Sequence, residues 1–291
     1  MKSVNFIKIL GTSAGGGLPQ WNCFCQYCGM ARNGTIARRR QSSIALVNGK
    51  AQTYTLINAS PDIYHQLLYF GETPGVIRRN PMKNIILTDA QLDHTLGLLN
   101  VREGEPLTIY ATKLVQHQLT MEFNIFPLLG KYCSTNITTI EGPFSPLEDF
   151  EITPVDIVSN SPPYSIYRGK QSPGANLGLI IKSGDSKVFY APGLKNITPE
   201  IEKIMSEVDH VLLDGTCWTS SELAFLNKPD LEELGHISQE SLIHRLKDFS
   251  CRKTLIHINN TNPINDPDSP ESMLLLDNGI EVAHDGMEIY L

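Results

Sequence analysis

The sequence predicts an α/β fold with all of residues 1–291 in a single domain. Two observations carry this expectation. Strand-like runs come in antiparallel succession before and after helical pieces, without the regular strand–helix–strand alternation of a doubly wound sheet. In addition, 41% of the 291 residues are hydrophobic, enough for a sizeable core, and no internal repeat, low-complexity tract or linker divides the chain.

Taken in order, residues 4–10 alternate polar and apolar as a half-buried strand. The glycines of 11–17 then make a loop whose backbone amides can approach a ligand. Ser43-Ile44-Ala45-Leu46-Val47 is the second strand, and Asn48-Gly49 turns it back onto a third at 53–58. Pro61-Asp62 opens a helix carrying Ile63, Leu67 and Leu68. A strand at 84–88 leads into a helix through Leu96, Leu98 and Leu99. Further strands are expected at 107–111, 150–156, 177–182, 187–191, 210–214, 254–258 and 280–283, and helices at 112–121, 198–206 and 238–248. The last helix has Ser238 as its N-cap and Glu240 in its first turn. Segments 143–147, 159–173 and 262–270, rich in proline and serine, read as loops; loops this long in a compact domain are candidate walls of an active site.

A formal charge of −7 argues against nucleic acid, whose phosphates demand a basic face. The one basic run, Arg38-Arg39-Arg40, reads as a solvated turn with a carboxylate contact as the alternative. No apolar stretch reaches the roughly 18 residues of a membrane span, and Lys8, the second lysine of the first ten residues and inside their apolar stretch, fits a first strand and not a signal peptide.

Six cysteines occur, at 23, 25, 28, 133, 217 and 251. Cys23-x-Cys25-x-x-Cys28 is too tight for disulfides between separate elements. Three soft thiolates in one loop suit three corners of a structural Zn2+ site, with the fourth ligand left open. Such a site implies a reducing compartment, and the chain is therefore expected to be cytoplasmic.

The segment Thr88-Asp89-Ala90-Gln91-Leu92-Asp93-His94 follows the apolar run Ile85-Ile86-Leu87. In that setting dinuclear hydrolases of the metallo-β-lactamase superfamily carry His-x-His-x-Asp-His. Asp89 and Gln91 stand where the first two histidines would be; Asp93 and His94 keep the last pair. His257, at the end of an apolar strand, matches the C-terminal ligand of the second metal. The bridging aspartate would fall near 188–193, where there is no acid. The surviving set, Asp93, His94 and His257, is the two-histidine, one-carboxylate chemistry of mononuclear non-haem iron sites, which leave positions open for dioxygen and substrate. Asp214, ending another apolar strand, is either a further metal ligand or a partner orienting a histidine, and His236 is a candidate substrate contact.

With these residues in hand the chain resembles the PqqB family, the B proteins of coenzyme pyrroloquinoline quinone (PQQ) biosynthesis. The resemblance rests on Gly15-Gly16-Gly17, Pro19-Gln20-Trp21-Asn22-Cys23, Gln41-Ser42-Ser43-Ile44-Ala45-Leu46, Asn58-Ala59-Ser60-Pro61-Asp62-Ile63, Asp93-His94-Thr95, His257-Ile258-Asn259-Asn260-Thr261-Asn262-Pro263 and His284-Asp285-Gly286-Met287. It implies a metallo-β-lactamase-like αβ/βα four-layer sandwich. It also implies an Fe2+ (or other divalent metal) and O2-dependent hydroxylation of the tyrosine ring in a Glu-Tyr-derived precursor, with PQQ as eventual product or ligand. Carriage or release of PQQ is the alternative reading, and metal-dependent hydrolysis a more distant one. Gly16, Asn58, Ser60, Asp62 and His236 are the substrate-binding candidates; assembly is left open, a homodimer included.

Overall fold

The computed structural model describes residues 4–71, 77, 81–103, 106–224 and 231–291. Two mixed sheets form the centre. The first contains β1 (Phe6–Gly11), β2 (Ser43–Asn48), β3 (Thr53–Ile57), β4 (Met82–Ile86), β5 (Leu107–Ala111) and β6 (Thr135–Thr139). The second contains β7 (Glu151–Asp156), β8 (Leu177–Ser183), β9 (Ser186–Ala191), β10 (His210–Asp214), β11 (Arg252–Ile256) and β12 (Ile280–Val282). The last strand, β13 (Glu288–Tyr290), returns to the edge of the first sheet, whose order is β13-β1-β2-β3-β4-β5-β6; the second runs β12-β11-β10-β9-β8-β7.

Side-chain alternation along the strands builds the layers. Ile44 and Leu46 of β2 meet Leu212 of β10 and Val188 and Tyr190 of β9 in a core between the sheets. Their neighbours Ala45 and Val47 face the helical layer carrying Val115 and Leu119. Val211 and Leu213 likewise pack outward onto Ile201, Met205, Leu242 and Ile243. Helix, sheet, sheet and helix therefore stack in the αβ/βα order.

The expected strands all form, most within two residues of their sequence limits. The β2–β3 hairpin forms with Asn48 opposite Thr53, so its loop spans 49–52 and not the Asn-Gly pair alone. Strand 84–88 begins and ends two residues earlier, leaving Leu87 and Thr88 beyond it. Helix 112–121 is α-helical over Lys113–His117 and π-helical over Gln118–Glu122. β6, β13 and the helices Gln26–Asn33, Ile125–Leu129 and Pro270–Asp277 were not anticipated. β6 and β13 are outer strands, half-buried and short, so they lack the apolar alternation that marks a strand. The helix Gln26–Asn33 is polar and contains Gly29, with its end set by Gly34 at φ 84°.

One strand-end histidine gives the fold a pH dependence of its own. His210 is buried, with Nε2 2.8 Å from Thr254 Oγ1. Burial, aided by the Arg252 guanidinium, pushes its pKa down from 6.5 to about 4. The unfolded chain takes up that proton first, so the stability this neutral ring contributes is complete above pH 6.5. It is lost as the pH falls from 6.5 to about 4. The full window corresponds to about 3 kcal/mol. Urea unfolding between pH 7.5 and 4.5 should show a steeper loss in the native chain than in His210→Gln; parallel curves would contradict the assignment.

Candidate metal centre and cavity

The carboxyl ends of β4, β10 and β11 converge where the two sheets meet. Beyond β4 the chain turns through Asp89 into the short helix Leu92–Thr95, and His94 O accepts a hydrogen bond from Ala59 N at 2.8 Å, pinning that helix to the end of β3. From the other sheet, His257 follows β11 directly at φ 62°, a left-handed conformation that costs free energy for a residue with a Cβ. Its neighbours hold it there: Ile258 N donates to Thr12 O and Asn259 N to Thr216 O.

Asp93, His94 and His257 are brought together, with potential ligand atoms all within 4.8 Å of one another. His257 Nε2 lies 3.4 Å from Asp93 Oδ2, and the His94 and His257 rings meet edge to face at 5.4 Å. Gly15 permits this packing, since a Cβ there would come within 3.3 Å of Asp93 Oδ2.

Asp89 has acquired a different task from the ligand it replaces. Its carboxylate accepts from Thr88 Oγ1 and Gln91 N, both at 2.9 Å, and from His94 Nδ1 at 2.7 Å. A carboxylate can only accept, so Nδ1 carries a proton and Nε2 is the nitrogen left to give its lone pair to a metal. That Nε2 is buried with no hydrogen-bond partner among the described residues, which is the donor a metal requires. Without metal, burial disfavours a charged His94, but Asp89 and Asp93 outweigh it and raise the pKa to about 9. Burial likewise opposes the Asp93 carboxylate, yet His94 and His257 hold its pKa far below the ordinary range.

A second carboxylate–imidazole pair stands behind the first. Asp214 is wholly buried and accepts from His236 Nδ1 at 2.5 Å, Leu194 N at 2.9 Å and Thr216 N at 2.9 Å. Thr216 Oγ1 donates to His257 O at 3.1 Å and lies 3.1 Å from His257 Nδ1, which leaves His257 Nε2 for the Asp93 side. Asp214, His236 and His257 form a second group with ligand-competent atoms within 4.8 Å, and the His236 and His257 rings stack at 5.3 Å.

The cavity above these residues holds about 300 Å³ and is lined by Asp89, Asp93, His94, His236 and His257, with Pro163, Leu223 and Leu234 as apolar wall. Gly193, just past β9, lines it too, and a Cβ there would meet open space. Of the five expected substrate contacts, His236 alone reaches this cavity. Asn58 is fully buried, its amide paired with Thr88, and Ser60 donates to Gln66 Oε1. Gly16 and Asp62 line a separate cleft with Arg38, Arg39 and Arg40. Polar residues after a strand satisfied the fold's own groups, a local pairing that sequence does not display. Arg168, with Ser159 and Pro163, comes from the 159–173 loop expected to wall a site, although no residue of it was singled out; Thr216 and Asn176 were missed, having no motif.

Cys23, Cys25 and Cys28 form a separate three-thiol cluster with ligand atoms within 4.8 Å. Cys25 caps the helix Gln26–Asn33, which places Cys28 in its first turn. Asn260 projects onto all three, its Nδ2 being 3.1, 3.8 and 3.3 Å from the sulfurs of Cys23, Cys25 and Cys28. Burial pushes the Cys25 thiol up to about 11, and the neighbouring Cys23 and Cys28 add to it. Thiols this close ionise together only around a cation.

Comparisons with known proteins agree with this architecture. A family model for the beta-lactamase superfamily domain matches residues 53–258. Coenzyme PQQ synthesis protein B from Acinetobacter baylyi is 45% identical, covering 97% of this chain and 99% of the relative. The crystal structure of Zn(2+)-bound PqqB from Methylobacterium extorquens superposes with a TM-score of 0.89 at 30% identity, covering 98% of this chain and 100% of that one. A diphosphatase from the PhnP family shares the fold, with a TM-score of 0.72 at 18% identity over 99% of this chain and 97% of the other.

Proposed function

Because this chain belongs to the coenzyme PQQ synthesis protein B family of the beta-lactamase superfamily, we propose that it acts in PQQ synthesis as a metal- and O2-dependent hydroxylase. Its substrate is the tyrosine ring of a precursor built from glutamate and tyrosine. The observation that carries the reading is the lone, buried Nε2 of His94 beside Asp93 and His257. Two imidazoles and one carboxylate fit iron(II) or another divalent metal and leave coordination positions free. Such a metal would supply the redox chemistry that lets dioxygen react with an aromatic ring, with an external reductant providing two electrons.

The chain's own residues do the rest. Asp89 holds the proton on His94 Nδ1, and Asp214 does the same for His236, fixing which nitrogen faces the cavity. Pro163, Leu223 and Leu234 give the ring an apolar wall and displace water from around it. Asp214 already accepts three hydrogen bonds and no side chain projects from Gly193, which supports one metal over a bridged pair.

At the cysteine site, Asn260 takes the fourth corner through its amide oxygen, because amide O and N exchange places on a simple flip. A reduced trio of thiols is consistent with a reducing compartment such as the cytoplasm, and among the described residues no helix is long and apolar enough to cross a membrane.

The test is anaerobic loading with iron(II), followed by oxygen, reductant and a Glu-Tyr dipeptide. The expected result is one oxygen atom added to the tyrosine ring by mass spectrometry. A fully loaded protein that yields no oxygenated product would sink the reading.

A further inference from the structure

We infer that the cavity contains a carboxylate subsite built from Arg168 and Asn176, so that its ligand is an anion anchored away from its reacting ring. This deepens the hydroxylase reading, on which the ring half of the ligand rests, while the charge argument stands on the cavity itself.

Among the described residues lining the cavity, the acids are Asp89 and Asp93, and Arg168 is the one arginine or lysine. Among those described residues it is the one side chain whose positive charge does not depend on a histidine proton. The guanidinium is fixed in place by two carbonyls, Nη1 donating to Ser161 O at 2.8 Å and Nη2 to Glu233 O at 3.2 Å. Those carbonyls come from a loop and from the short helix Leu231–Leu234, so the group is oriented before any ligand arrives. A guanidinium has five N–H donors; two are used here, and no carboxylate among the described residues pairs with it. Its remaining donors can receive an oxyanion in the bidentate manner that arginine favours.

Asn176 supplies the independent observation. It lines the same cavity at 7% exposure, and its Nδ2 is buried with no acceptor among the described residues. Its backbone is already tied down, its carbonyl accepting from Ile157 N at 2.9 Å. A buried amide donor aimed at an empty volume costs free energy until an oxygen fills that volume. A ligand bearing a carboxylate at one end and an aromatic ring at the other satisfies Arg168 and Asn176 and covers Pro163, Leu223 and Leu234.

The probes are 3-(4-hydroxyphenyl)propionate and its neutral twin, 3-(4-hydroxyphenyl)propionamide, titrated calorimetrically into zinc-loaded protein. The acid is expected to bind roughly tenfold or more tightly than the amide. Arg168→Gln and Asn176→Ala should each weaken the acid by roughly tenfold while leaving the amide unchanged, and Arg168→Lys should keep part of the preference. Retained zinc content and melting temperature establish that each variant is folded. Equal affinity for the two probes, no binding by either, or a preference that survives Arg168→Gln overturns the subsite. Because binding is read without oxygen, an acid preference with no oxygenated product counts against the hydroxylase alone. Oxygenated product without an acid preference counts against the subsite alone.

Discussion

Replacing His94 with alanine should empty the cavity of metal and reduce the proposed ring hydroxylation by on the order of 10³-fold or more, because one of three ligands is lost together with the imidazole that the first sheet contributes among the described residues. Zinc at the cysteine cluster should remain, since the two sites share no residue. Asp89→Asn separates ligation from orientation. An asparagine oxygen can still accept from His94 Nδ1, so the tautomer survives, but the negative charge that makes His94 a stronger base is gone. Metal affinity should fall by roughly 10–100-fold, and activity should return when metal is raised to saturation. Elemental analysis after dialysis, together with turnover at increasing iron, distinguishes the two variants. If His94→Ala keeps its second metal and its activity, the assignment of Asp93, His94 and His257 is wrong.

The sequence made these three residues legible because each follows an apolar strand, and the carboxyl ends of buried strands are where a fold of this kind gathers polar groups. The strands themselves were readable for the same reason: Val211-Leu212-Leu213 and Val188-Phe189-Tyr190 are apolar on both faces, as strands covered on both sides must be. β6 was not readable, because Thr135–Thr139 sits at a sheet edge where half-exposed threonines suffice. Asp89 was read as the loss of a ligand, whereas its contact with His94 arises from the turn into the helix Leu92–Thr95. Arg168 and Asn176 are set at the site by long-range pairings: Arg168 Nη2 donates to Glu233 O, 65 residues away, and Leu177 N, next to Asn176, donates to Thr88 O, 89 residues away. Contacts of that range leave no periodic trace for a local pattern to detect.

The cysteine cluster should matter to the metal in the cavity because it anchors the segment that carries His257. Cys25 Sγ lies 3.6 Å from Asn260 O, and the Asn260 side chain faces all three sulfurs. Ala14 N donates to Ile258 O at 2.8 Å, so the glycine loop beside Asp93 is tied to the same strand end. His257 is held at φ 62° by these contacts, and such a backbone relaxes once its restraints weaken. Around the cysteines only Leu18, Cys28, Ala31 and Ile36 form a small buried cluster, too little apolar surface to order the loop unaided. Cys28→Ser should therefore release the structural zinc and lower amide-exchange protection over 20–36 by on the order of 3 kcal/mol or more. The two sheets, with cores of their own, should keep their protection. Metal affinity at Asp93, His94 and His257 should fall by roughly tenfold, the scale of a lost outer contact. Hydrogen exchange and metal titration on the same sample read both effects. Unchanged exchange over 20–36 would show that the thiols hold no ion that orders the loop. A loosened loop with intact affinity would show that His257 is held in place from the sheet alone.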